Sequence, residues 1–177
     1  MKCICLAFFA IAPAVIGLSG CSHAPATESA ATPAASDIDA TRFLLDEEPD
    51  GAVGVIAARE SAEDGEPLVL VGRIGGSANP WIDGRAAFTL LDASMTVIAE
   101  GGDSAEGELC TGDCCATERL ACTTLVKVVD ASGQVVRVDS RKLLGLKESD
   151  MVVVEGKAKK DQSGNFSMLA NHVFVRR

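Results

Sequence analysis

Between Pro67 and Val175 the chain is a succession of short β-branched runs, each stopped by glycine or by a turn rich in Asp, Ser and Gly. Runs of this length with such boundaries read as strands, and this punctuation limits the fold more than any other feature. Pro67-Leu-Val-Leu-Val-Gly-Arg-Ile-Gly-Gly76 is one strand, Arg85–Asp92 a second and Met95–Ala99 a candidate third. Thr123–Val129 and Gln134–Asp139 flank Asp130-Ala-Ser-Gly133, a joint suited to a hairpin. In Ser140–Lys147, Asp139 or Ser140 can cap a short helix, Leu143, Leu144 and Leu146 can pack inward, and Gly145 marks its end. Met151–Lys160 alternates from Val153 onward, and Asp161–Gly164 turns the chain into a last strand, Asn165–Val175. The expected class is mainly β with one short helix, and no solenoid-type repeat is present.

The start of the chain carries a different signal. Lys2 is followed by an apolar run from Ile4 to Val15, shorter than the ~20 residues that cross a bilayer. A charged start, a short apolar stretch and small residues before a cut describe a secretory signal, here residues 1–20. Leu18-Ser19-Gly20-Cys21 resembles the lipobox of bacterial lipoproteins. That resemblance implies cleavage before Cys21 and acylation of its thiol. The mature protein would then be held to a cell-envelope membrane by lipid and face the periplasm or the cell exterior. Several acyl chains, at ~0.8 kcal/mol per buried methylene, anchor far more firmly than one. Ser22, where Asp would signal otherwise, points by the same likeness to an outer membrane if the host has two.

Residues 21–50 hold seven acids (Glu28, Asp37, Asp39, Asp46, Glu47, Glu48, Asp50) against Arg42 alone, in a background of Ala, Pro, Ser and Thr. Such a segment buries too little apolar surface to offset its ordering entropy. Residues 21–65 are therefore expected to be a flexible acidic tether, with Gly51–Glu60 as a loosely attached strand or short helix, and residues 66–177 the folded domain.

Two pieces of that domain resemble the OB-fold, a five-stranded Greek-key barrel with a helix between its third and fourth strands. One is Val71-Gly-Arg-Ile followed by Phe88-Thr-Leu-Leu-Asp92; the other is Leu146–Gly156, a turn, and Phe166–Val175, with Gly156 at a bend that needs close backbone approach. The resemblance spans about residues 67–175 and implies a fold and a capacity for binding, without an activity. An insertion at 101–121 departs from it.

That insertion leads to the cysteines Cys110, Cys114, Cys115 and Cys122. Outside the cytosol, close cysteines in even number are first read as disulfides. Adjacent Cys114 and Cys115 would make a strained pair, which favours Cys110 bonding one of them and Cys122 the other. The alternative is a thiolate site for zinc or copper, or redox chemistry, at the same four residues. Their spacing does not match two separated zinc-ligand pairs, and no Cys-x-x-Cys is present.

Other chemistry is sparse. His23 falls in the tether and His172 in the last strand, so no Ser-His-Asp arrangement suggests itself. Gly72-Arg-Ile-Gly75-Gly76 lacks the Lys-Ser/Thr and following helix of a phosphate loop and reads as a bulge or tight turn. Trp81 is expected to be a lid over the barrel end, with a stacking surface as the alternative. Asp92 is expected to close a strand by turn bonding. Residues 123–177 carry ten bases against six acids, whereas residues 51–122 carry four against twelve. Lys157, Lys159, Lys160 and Arg176 are thus candidates for anion binding. Phe88, Phe166 and Phe174 suit core-facing strand positions, which leaves few aromatic platforms for single-stranded nucleic acid. The leading expectation is a non-enzymatic, lipid-anchored protein whose barrel binds a protein or glycan of the envelope. Metal or redox chemistry at the cysteines and nucleic-acid binding are the alternatives.

Overall fold

The structure, a computed structural model, describes residues 38–98, 108–110 and 116–177, with only the backbone at 97, 98 and 108–110. The expected signal segment, Cys21, Cys114 and Cys115 lie outside these residues. In chain order the elements are a 3-10 turn at Ala40–Arg42, β1 (Val53–Gly54), α1 (Val55–Ser61), β2 (Pro67–Ile74), β3 (Ala87–Asp92) and β4 (Thr96–Ile98). They continue with β5 (Glu108–Cys110), α2 (Ala116–Cys122), β6 (Thr123–Val128), α3 (Ser140–Leu144), β7 (Met151–Lys160) and β8 (Phe166–Arg176).

The β-branched runs form the expected strands, and five of them close into a barrel. The order is β2-β3-β6-β8-β7, and β7 returns to pair with β2 from Pro67↔Lys157 to Arg73↔Met151. All neighbours are antiparallel except β6 and β8, which run parallel from Leu125↔Ser167 to Val128↔Ala170. Alternation puts Leu70, Ile74, Phe88, Leu90, Val126, Val128, Val152, Val154, Phe166 and Met168 inside, where they form one continuous core. The barrel is filled by its own side chains.

Two glycines let the wall close. A Cβ at Gly156 would lie 2.0 Å from the Leu169 carbonyl oxygen, and one at Gly72 would lie 2.4 Å from that of Leu91. The close approach expected at Gly156 is therefore present, at a bulge that shifts the β7–β8 register between Glu155 and Gly156. Pairing moves from Gly156↔Ala170 to Glu155↔His172, so Asn171 is the extra residue. One extra residue reverses which side chains face in. Met168 and Ala170 are buried before it and Val173 after it. Phe174, expected to face the core, is instead half-buried on the outer face opposite Val153.

The folded unit begins before residue 66. Residues 38–65, expected to be tether, fill gaps in the barrel wall. β6 stops pairing with β8 at Ala170, and beyond it Phe43–Leu45 take its place: Val173 N–H donates to the Phe43 carbonyl at 2.7 Å and Leu45 N–H to the Val173 carbonyl at 3.0 Å. β3 pairs with β2 only from Gly72 to Ile74, and β1 lies parallel to the vacant edge at Leu70 and Val71. Phe43, Val55, Ala58 and Ala62 all join the main core. Satisfying an open strand edge and burying these side chains offsets the local acidity.

Two further expectations are adjusted. Gln134–Asp139 forms no strand element: Val135 makes an isolated bridge to Val129, while Val136 N–H donates to Val128 and its carbonyl accepts from Ala86. The C-terminal part of the insertion is helical (α2), and β5 pairs parallel with β4. The α3 reading holds in detail. Asp139 caps it through the Arg141 N–H, Gly145 ends it at φ 65°, and Leu143, Leu144 and Leu146 are buried.

Candidate functional site

A filled interior leaves the outer surface and the loops as places to bind. Register and alternation place Ala87, Lys127, Leu169 and Lys157 in one outward row across β3, β6, β8 and β7. Thr89, Leu125, Ser167 and Lys159 form the next row. Leu125 and Leu169 are partly exposed at the middle of this face, and Lys127 and Lys157 flank Leu169. Beside Lys157 a cleft of about 230 Å³ opens between Asp130, Leu169 and Asn171. The turn residue Asp130 accepts the N–H groups of Ser132 and Gln134 and the Ser132 hydroxyl. Those bonds, led by the hydroxyl, hold its carboxyl below the usual range.

The four basic candidates do not converge. Arg176 is opposite Met151, and Lys160 is opposite Phe166 at the other end of β7. At ~3.3 Å per residue these positions lie roughly 30 Å apart along the strand. Two of the charges are also matched by acids from the segment expected to be tether. Arg176 forms a two-pronged ion pair with Glu48, and Lys159 Nζ lies 3.1 Å from Asp64. Lys157 lines the small cleft, whereas Lys160 is half-buried and its backbone N–H donates to Asp64.

Cys122, the last residue of α2, is buried against Leu91 and forms no disulfide among the described residues. It donates to the Glu118 carbonyl at 3.0 Å, and desolvation pushes its pKa up. A reactive redox thiol calls for the opposite environment, partly exposed and electropositive, so the Cys122 thiol in this setting is an unreactive one. Cys110 is placed by its backbone in β5, opposite Ile98. No three His, Cys, Asp or Glu side chains among the described residues are grouped to hold a metal.

Trp81 is packed into the main core and is not an open stacking surface. It is 9% exposed, packs on Phe88 at 6.4 Å between ring centroids, and lies under the Arg141 guanidinium at 5.4 Å. Arg141 is held in turn by Asp139 and Asp83. His172 stands on the outer face opposite Glu155, 3.7 Å away, too far for a strong hydrogen bond. Asp92 binds Ser94 through both its N–H and its hydroxyl, the strand-closing turn expected of it.

One arrangement had no counterpart in the sequence reading. At the end of β2 a cleft of about 450 Å³ is lined by Arg73, Gly75, Gly76, Ser77, Glu148 and Ser149, among others. The Ser77 hydroxyl is shielded from solvent and has no hydrogen-bond partner among the described residues, a cost of ~1–3 kcal/mol for a buried polar group. Only the glycine pair at 75–76 hinted at this place, as a tight turn; the residues facing it come from β4 (Thr96) and from the distant loop of Glu148 and Ser149.

No helix among the described residues is long and apolar enough to cross a membrane. A scan of protein-family models finds none that matches the chain, and a search of curated proteins finds no matching relative.

Proposed function

We propose that this is a non-enzymatic, lipid-anchored cell-envelope protein whose barrel is OB-like and binds an anionic ligand on its outer face. The anchor rests on the lipobox-like Leu18–Cys21, and the observation that carries the barrel's part of the reading is the strand order. Numbering β2, β3, β6, β7 and β8 as barrel strands one to five gives the cyclic order 1-2-3-5-4, with strands three and five parallel and a helix between strands three and four. OB barrels bind extended ligands across the face of strands two and three, which here are β3 and β6. That face carries Leu125 beside Lys127, and its neighbours carry Leu169 and Lys157. The aliphatic stems of lysines extend an apolar strip while their charges rim it. Among the described residues the outward positions of β3 and β6 bear no aromatic side chain for stacking bases, which favours an acidic glycan or protein of the envelope over single-stranded nucleic acid.

Two measurements test the two halves of the reading. Metabolic labelling with an alkyne fatty acid should mark the full-length protein, and Cys21→Ser should lose both the label and membrane association. Heparin, used as a probe polyanion, should retain the protein at low salt despite its overall acidity, and Lys127→Gln/Lys157→Gln should abolish retention. Retention unchanged in that double variant would remove the face from consideration.

A further inference from the structure

We infer that the cleft at the end of β2 is a binding site for a small zwitterion of the α-amino-acid type, distinct from the outer face of the sheet. Three observations meet there. First, Arg73 lines the cleft with a guanidinium that forms no ion pair with any described carboxylate; its Nη1 donates to the Ser149 carbonyl at 3.2 Å. Ser149 is held at φ 69°, a left-handed conformation unusual for a residue with a side chain, and its N–H donates to the Ile74 carbonyl. The cation is thus fixed to the wall by its backbone contact, with donors left over: a guanidinium has five N–H groups in a fork that matches a carboxylate.

Second, Ser77 belongs to the same wall, and its hydroxyl is shielded from solvent with no partner among the described residues. Buried polar groups are rarely left so, and a turn of the Ser77 side chain about χ1 toward the cleft would bring the hydroxyl to a ligand oxygen. Gly76 keeps the wall close: it sits at φ 83°, and a Cβ there would lie 2.5 Å from the Thr123 methyl carbon. Third, Glu148 lines the cleft without an ion pair to Arg73. A simple anion would be repelled by Glu148, and a simple cation by Arg73. A ligand carrying a carboxylate and an ammonium on neighbouring atoms meets both, and a volume of about 450 Å³ admits such a molecule with room for its side chain.

This inference is independent of the outer-face reading, because its residues belong to β2 and to the loops at its end. The test is calorimetric titration of the full chain with common α-amino acids, each beside its deaminated and decarboxylated counterpart (alanine, propionate and ethylamine being one such set). At least one amino acid should bind, its deaminated acid about tenfold more weakly, and its amine not measurably. Glu148→Gln should bring acid and amino acid to similar affinity. Arg73→Gln should abolish both, and Ser77→Ala should weaken both several-fold, with circular dichroism confirming the fold of each variant. Absence of binding by every amino acid at millimolar concentration would overturn the inference. So would binding that survives Arg73→Gln, or a deaminated acid binding as tightly as its amino acid.

Discussion

Asp92 Oδ2 accepts the N–H of Ile56 at 2.9 Å, so the last residue of β3 caps the first turn of α1. The helix has no cap of its own, since Gly54 occupies that position. A Cβ at Gly54 would lie 2.6 Å from Asp92 Oδ2, so the glycine makes room for a carboxylate that arrives from elsewhere in the chain. Burial raises the Asp92 pKa, but the Ser94 hydroxyl and the N–H groups of Ile56, Ser94 and Val55 together outweigh it and leave the carboxyl below its usual value.

A depressed folded pKa means that the unfolded state takes up its proton first as pH falls. Stability due to Asp92 is therefore complete above the ordinary carboxyl range and lost as pH drops through the folded value. Asp92→Ala should cost about 1–3 kcal/mol at neutral pH. Asp92→Asn should cost less and flatten the acid limb of stability against pH. Urea denaturation at pH 7 and pH 3 measures both; an unchanged acid limb in the Asn variant would show that the carboxylate charge contributes nothing.

The β7–β8 bulge gives a sharper steric prediction. At Gly156 an added methyl meets the Leu169 carbonyl and the Ala170 Cα, both backbone, so no rotamer change can relieve the collision. Gly156→Ala should lower stability by roughly 1–3 kcal/mol or more. Gly133→Ala is a useful contrast, because its surroundings are open and only its φ of 77° is strained; its cost should be nearer ~1 kcal/mol. Equal denaturation midpoints for the two variants would contradict the close approach at position 156.

Phe43 tests whether the N-terminal segment belongs to the domain. Its side chain is 5% exposed within the main core, and its carbonyl pairs with Val173. Phe43→Ala should cost about 3–5 kcal/mol, as for other buried aromatics. A chain starting at Glu66 would expose the β8 edge and the α1 seat together, and should aggregate or melt without cooperativity. A truncated domain as stable as the longer chain would make the docking incidental.

The same segment shows what the sequence could and could not reveal. The barrel strands were legible because each is a β-branched run with its own stops, and α3 because its cap, leucines and Gly145 are consecutive. In residues 38–65 the strand or short helix expected at Gly51–Glu60 is present as β1 and α1. The docking of the segment is not legible, because its buried apolar positions, such as Phe43, Val55 and Ala58, are too few to show a period. Their burial depends on strand edges left vacant by β6 and β3, which no local pattern encodes. Position in the sequence also made Arg176 a neighbour of the lysines, whereas β7 and β8 hold it at the far end and Glu48 pairs with it. Simple alternation puts Phe174 inward, and the extra residue Asn171 reverses it. The cleft at β2 was hidden because Arg73 and Glu148 meet only through the fold.

Trp81 offers a spectroscopic check of its packing. It is the only tryptophan, so fluorescence reports it alone. Packed against Phe88 and covered by Arg141, it should emit at short wavelength in the native state. Arg141→Ala should shift emission to the red and reduce stability by about 0.5–1 kcal/mol through the lost cation–π contact. Asp83→Asn should do neither, because that carboxylate reaches Arg141 only at 3.3 Å from an exposed position. A red-shifted native spectrum in the unaltered protein would mean that Trp81 is a solvent-facing platform.

Cys122 provides the last test, since it separates this cysteine from the chemistry first expected of it. Its thiol is buried, bonded to the Glu118 carbonyl, and raised in pKa by desolvation, with the Asp92 charge acting in the same direction. Only the thiolate reacts, and exposure and ionisation are both suppressed here. Iodoacetamide at pH 8 should therefore modify Cys122 orders of magnitude more slowly in the native protein than in urea, as read by peptide mapping of residues 119–127. Cys122→Ala should leave the fold intact at a cost of about 1 kcal/mol for the lost packing, whereas Cys122→Asp should be far more disruptive, because it puts a charge beside Leu91 in a closed site. Native labelling as fast as unfolded labelling would mean that α2 opens readily and exposes the thiol. A mapped peptide carrying Cys122 in a disulfide would mean that the helix is anchored covalently and that Cys122 is an active member of the cysteine cluster.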